Sequence, residues 1–106
     1  MIDEQTLQEI VKRIVAATEA CRVILFGSYG RDEADENSDL DIMVIQPRET
    51  NRREEMVRLR QLIGAAGAGV DVLVYSEAEY ERRSRVVGTL LYWARKEGRT
   101  LYEAPH

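Results

Sequence analysis

Val23-Ile24-Leu25-Phe26-Gly27-Ser28-Tyr29-Gly30-Arg31, followed after a polar stretch by Ser38-Asp39-Leu40-Asp41-Ile42-Met43-Val44-Ile45, is the part of the chain whose reading decides the fold. Val23 to Phe26 is a short continuous apolar run ended by Gly27-Ser28, the pattern of a buried strand arriving at a tight turn. Leu40 to Ile45 reads as a second buried strand, entered through the turn formers Asn37-Ser38 and closed by Pro47. Side chains two residues apart on a strand share a face, so Asp39 and Asp41 are expected to present two carboxylates together while Leu40, Ile42 and Val44 fill the other face.

Two like charges at the edge of a core raise each other's pKa and are partly desolvated, so something should compensate for them. A divalent cation would, and magnesium takes hard oxygen ligands of this kind. Asp71 repeats the theme in Gly69-Val70-Asp71-Val72-Leu73-Val74, a third predicted strand (residues 70–75) where an apolar residue would be ordinary. With the second and third strands adjacent, as sequence neighbours often are, the three carboxylates converge. The turn Gly27-Ser28-Tyr29-Gly30-Arg31 lets backbone approach an anion closely, with a hydroxyl from Ser28 and a positive charge from Arg31. Each feature alone has a plain explanation as a turn or a strand cap. Together, a phosphate cradle beside a carboxylate cluster is the layout of metal-assisted phosphoryl or nucleotidyl transfer.

Around this centre, Leu7, Ile10, Val11, Ile14 and Val15 predict a helix over about 4–18 with Asp3 as N-cap. Asn51 with Glu54 resembles a capping box that opens a helix whose apolar face is Met56, Leu59, Leu62 and Ile63, ended by the glycine-rich segment from Gly64 to Gly69. Ser76 with Glu79 signals another helix, and Val86, Val87, Leu90, Leu91 and Ala94 continue its pattern until Gly98; Thr100-Leu101-Tyr102 suits an edge strand. The order helix, strand, strand, helix, strand, helix, strand argues for an α/β or α+β layer fold with a small mixed sheet flanked by helices.

The 106 residues, 44% hydrophobic and 32% charged, suit one domain spanning 1–106, too apolar to be disordered. With no membrane-spanning run and no signal-peptide pattern at Met1-Ile2-Asp3-Glu4, a cytoplasmic protein is expected. The net charge of −4 argues against a nucleic-acid partner. Cys21 reads as a small buried hydrophobe and His106 as a frayed end. The arginines of the two later helices, Arg52, Arg53, Arg58, Arg60, Arg82, Arg83 and Arg85, read mainly as solvated faces, because Glu54–Arg58, Glu79–Arg83 and Glu81–Arg85 have the i, i+4 order that supports exposed helices. Of Tyr92 and Trp93, one is expected to be an exposed contact.

Gly27-Ser28, ten residues, then Asp39-Leu40-Asp41 resembles the signature of the nucleotidyltransferase superfamily that includes DNA polymerase beta, and above all its minimal stand-alone members. Leu25-Phe26 and Ser38 match the flanking pattern, the third family carboxylate falls on Asp71, and the likeness runs over almost the whole chain. One departure is Asp32-Glu33-Ala34, where the family often has Gly-Glu-Ala. The resemblance implies a polymerase beta-like fold, with Asp39 and Asp41 holding two Mg2+ ions and Asp71 on the catalytic ion as ligand or base. It places Gly27, Ser28 and Arg31 on the phosphates of ATP. It further implies an acceptor supplied by another chain, since no acceptor-binding domain is seen, and points to a tyrosine of a HEPN-type ribonuclease toxin that the minimal members AMPylate as antitoxins. A masking module of the same fold, or a homodimeric enzyme acting on a small molecule or RNA, are the alternatives.

Overall fold

The structure is a computed structural model that describes residues 2–64 and 69–105. The middle of the glycine-rich segment and the expected frayed end at His106 lie outside the described residues. In chain order the elements are α1 (Glu4–Ala17), β1 (Arg22–Phe26), α2 (Gly27–Gly30), β2 (Leu40–Gln46), α3 (Arg52–Ile63), β3 (Val70–Ser76), α4 (Glu77–Arg83), α5 (Leu90–Glu97) and β4 (Arg99–Glu103).

The strands form one sheet in the order β3-β2-β1-β4. β1 runs antiparallel to both β2 and β4, whereas β2 and β3 are parallel, so the sheet is mixed as expected. Alternation along the strands divides the core. Val23, Leu25, Leu40, Ile42, Val44, Val72 and Val74 face α1 and α3, meeting Leu7, Ile10, Ile14, Leu59 and Ile63. Ile24, Phe26, Met43, Ile45 and Tyr75 face α4 and α5, meeting Tyr80, Leu91 and Ala94. Burying both faces explains why β1 and β2 read as continuous apolar runs.

Side-chain caps start α1, α3 and α4. The Asp3 carboxylate accepts from the Thr6 amide at 2.7 Å, Asn51 from Glu54 at 3.2 Å, and Ser76 from Glu79 at 3.1 Å. The structure corrects the sequence reading in several places. The predicted last helix is two helices, α4 and α5, separated by a turn in which Gly88 takes a φ of +90° and Thr89 caps the second by accepting from the Tyr92 amide at 3.1 Å. Val86 and Val87, assigned to an apolar helix face, are instead exposed in that turn. Leu62, placed on the buried face of α3, faces solvent, because the sheet meets that helix along Leu59 and Ile63 alone, with Met56 half-buried beside them. Of the arginine pairs, Arg83–Glu79 and Arg85–Glu81 form as expected, but Arg58 pairs with Glu55 at 2.6 Å rather than Glu54.

Candidate active site

Parallel pairing sets Asp41 directly beside Asp71, and antiparallel pairing sets Phe26, the last residue before Gly27, on the other side of Asp41. The register therefore gathers at one place residues that lie far apart in the sequence. Residues paired across strands point to the same face, which here is the face covered by α4 and α5. Burial, then the charge of Asp71, then that of Asp39, push the Asp41 carboxyl above its ordinary pKa, and the Arg31 guanidinium offsets part of this.

Asp39 lies one residue before β2 and is exposed. Its carboxylate rests against the Cα of Gly69, where any Cβ would collide with it, while the Gly69 carbonyl accepts from the Leu40 amide at 2.8 Å. Gly27 stands in the same relation to Asp41: a Cβ there would run into the carboxylate, and its φ of +67° belongs to the left-handed region that side chains disfavour. Two glycines thus give two carboxylates their room. α2 follows at once, a single turn whose N-cap, Phe26, supplies no side-chain acceptor for the first amides. Asp32 ends this segment with a φ of +58°, so it keeps the left-handed backbone that a glycine would suit, at a position where aspartate is better tolerated than most residues.

These groups open onto a cleft of about 720 Å³ lined by Phe26, Gly27, Arg31, Asp41 and Asp71, by Met56 and Arg60 of α3, and by Leu90, Trp93, Ala94 and Glu97 of α5. Of the residues singled out in the sequence, Gly27, Arg31, Asp41 and Asp71 line it; Ser28 lies in the adjoining turn, and Asp39 at the mouth of β2. Arg31 also pairs with Glu33 at 3.2 Å, and Asp71 with Arg60 at 3.0 Å. Among the described residues no three His, Cys, Asp or Glu side chains are drawn close enough to enclose a metal ion as they stand. The donor set nevertheless suits a hard divalent cation: Asp41 is flanked by two like charges that disfavour its ionised form, and a cation would relieve that frustration.

Over residues 5–103 the sequence matches the nucleotidyltransferase domain. The chain belongs to the nucleotidyltransferase domain family. The crystal structure of a Sulfolobus solfataricus protein assigned as a nucleotidyltransferase is similar to it, with a TM-score of 0.60 and 28% identity, over 92% of this chain and 86% of that one. No curated protein sequence matches it. The mixed sheet with helices on both faces is accordingly a nucleotidyltransferase fold, and membership implies use of a nucleoside triphosphate. No helix is long and apolar enough to cross a membrane among the described residues.

Three residues of this candidate site are not singled out by the sequence. Gly69 was visible only as part of a glycine-rich stretch; its position immediately before an Asp-bearing strand was the available signal. Arg60 lies on an arginine-rich helix face, and nothing local distinguishes it from Arg58, which instead bonds the Ala17 carbonyl at 3.0 Å. Trp93 is one of two adjacent aromatics, and helical spacing alone does not tell which of them lines the cleft.

Proposed function

We propose that this nucleotidyltransferase transfers AMP from ATP to a hydroxyl of a second protein, and that, as the resemblance to minimal family members implies, the acceptor is a HEPN-type toxin and the chain its antitoxin. The observation that carries the catalytic part is the in-register pairing of Asp41 with Asp71 next to Gly27 in one cleft. Asp39, Asp41 and Asp71 would hold magnesium, two ions by family resemblance, which when bound polarises the α-phosphate and stabilises departing pyrophosphate. The amides of Gly27 and Ser28, with the charge of Arg31, take the outer phosphates. Arg60 yields Asp71 and turns its charge toward the triphosphate. Asp71, beside the acceptor, takes the proton as the hydroxyl oxygen bonds to the α-phosphorus and the bond to pyrophosphate breaks.

A masking role without catalysis is the second reading, and the Arg60–Asp71 pair favours it by engaging the third carboxylate. Incubation with ATP and magnesium, with and without the products of neighbouring genes, followed by intact mass measurement of every chain, separates the two. The expected outcome is an AMP-sized gain on a partner that vanishes in an Asp39→Ala, Asp41→Ala variant. A stable complex without mass gain, bound equally well by the variant, would leave only masking.

A further inference from the structure

The cleft has a charged end and an apolar end, and the apolar end has no part in the chemistry described above. α5 buries Leu91 and Ala94 against the sheet, yet Leu90 and Trp93, also lining the cleft, are 46% and 45% exposed. An indole left half in water on a helix with a buried face open to it calls for an explanation. Its ring is not loose. It meets Tyr92 edge to face, with centroids 5.1 Å apart and planes at 80°. Phe26, the other aromatic of the lining, is buried under α5 and offers no such surface.

We infer that Trp93, flanked by Leu90, is the stacking surface for the base of the nucleoside triphosphate. The inference rests on the functional reading above, which puts the phosphates at Gly27, Arg31, Asp41 and Asp71. A nucleotide bound there has its base left to place, and the same continuous cleft leads from those residues to Trp93. An aromatic shelf of this kind accepts every base, because each has a π-face. Met56, Leu90 and Ala94 make the lining around Trp93 largely apolar, with Glu97 one helical turn further along α5 and Arg60 one turn beyond Met56 on α3. The site is therefore built to grip a base chiefly by stacking.

Trp93 is the only tryptophan of the chain, so its fluorescence reports the contact directly. The experiment titrates the whole protein in magnesium with ATP, with CTP and with inorganic tripolyphosphate, reading both calorimetric affinity and absorbance-corrected Trp93 emission. Both nucleotides are expected to quench Trp93 and to bind within about tenfold of each other, while tripolyphosphate binds more weakly without quenching. Trp93→Ala is expected to weaken ATP binding roughly 5- to 150-fold while leaving tripolyphosphate affinity unchanged, and Trp93→Phe to restore most of the loss. Equal ATP affinity in wild type and Trp93→Ala, with tripolyphosphate bound normally, would overturn the stacking role and turn Trp93 into a contact for the acceptor. Failure of tripolyphosphate and ATP alike to bind, in wild type and in the Asp39→Ala, Asp41→Ala variant, would instead overturn the phosphate site itself and the inference with it.

Discussion

Asp41 is held in a setting that opposes its own charge. It is half-buried, with Asp71 beside it on the next strand and Asp39 two residues before it. Because its folded pKa is raised, the native state binds this proton more tightly than the unfolded chain does. Its contribution therefore favours folding in acid and is lost as pH rises through the raised folded value, leaving an unfavourable ionised carboxylate at neutral pH. Asp41→Asn removes that group. The expected outcome is a metal-free protein that melts a few degrees higher near neutrality, with a gain that shrinks toward about pH 4 and shrinks in high salt, where the repulsion from Asp39 and Asp71 is screened. Thermal unfolding of both proteins across that pH range checks it; a variant less stable than wild type near pH 7 would show that Asp41 is held by favourable contacts instead. Stability sacrificed at a reacting centre is a common trade in enzymes.

At the scale of elements, the sheet fixes the carboxylates while α5 supplies the cleft's other wall, and α5 depends on a short irregular turn for its position. Gly98 ends that helix so tightly against β1 that a Cβ there would strike the side chain of Ile24 and the carbonyl of Ala94. Its start depends on Thr89, whose hydroxyl accepts from the Tyr92 amide and lies 3.0 Å from the Arg83 carbonyl and 2.9 Å from that of Val86. Periodicity ran unbroken through this region because Val86, Val87 and Leu90 fall at helical spacing, and an exposed valine is invisible to a pattern that counts only apolar residues. The local signal that did exist, Gly88 followed by a cap residue, competes in sequence with a favourable apolar stripe. Thr89→Ala is expected to cost about 1 kcal/mol by loss of the cap, while Thr89→Ser costs little, read as shifts in the denaturant midpoint. Equal midpoints for Thr89→Ala and wild type would mean that packing of Leu91 and Ala94 alone sets where α5 begins.

Over the whole molecule, what was legible in sequence was what local pattern encodes: the strands, the carboxylates at their starts and the glycines at their ends. Arg60 and Gly69 were not legible as site residues, because the sheet's pairing and the return of α3 to its edge bring them to Asp71 and Asp39. The charge balance of the assembled cleft has a consequence that no one residue shows. Asp39, Asp41, Asp71 and Glu97 stand at or near it against Arg31 and Arg60, in a protein of net charge −4, so a bare triphosphate meets net repulsion. A divalent cation reverses the local sign. Metal and nucleotide should therefore bind with positive coupling, and each should bind poorly alone. Thermal unfolding tests this with ATP plus chelator, with magnesium alone, and with both. The combined shift is expected to exceed the sum of the separate ones, approaching the several degrees that about 2.7 kcal/mol gives at a hundredfold excess over Kd. In the Asp39→Ala, Asp41→Ala variant the excess should disappear, since the neutralised cleft neither needs the cation nor holds it. Should ATP with chelator stabilise wild type as strongly as ATP with magnesium, the carboxylates would not be metal ligands, and the cleft would be a nucleotide-binding surface without the means to transfer.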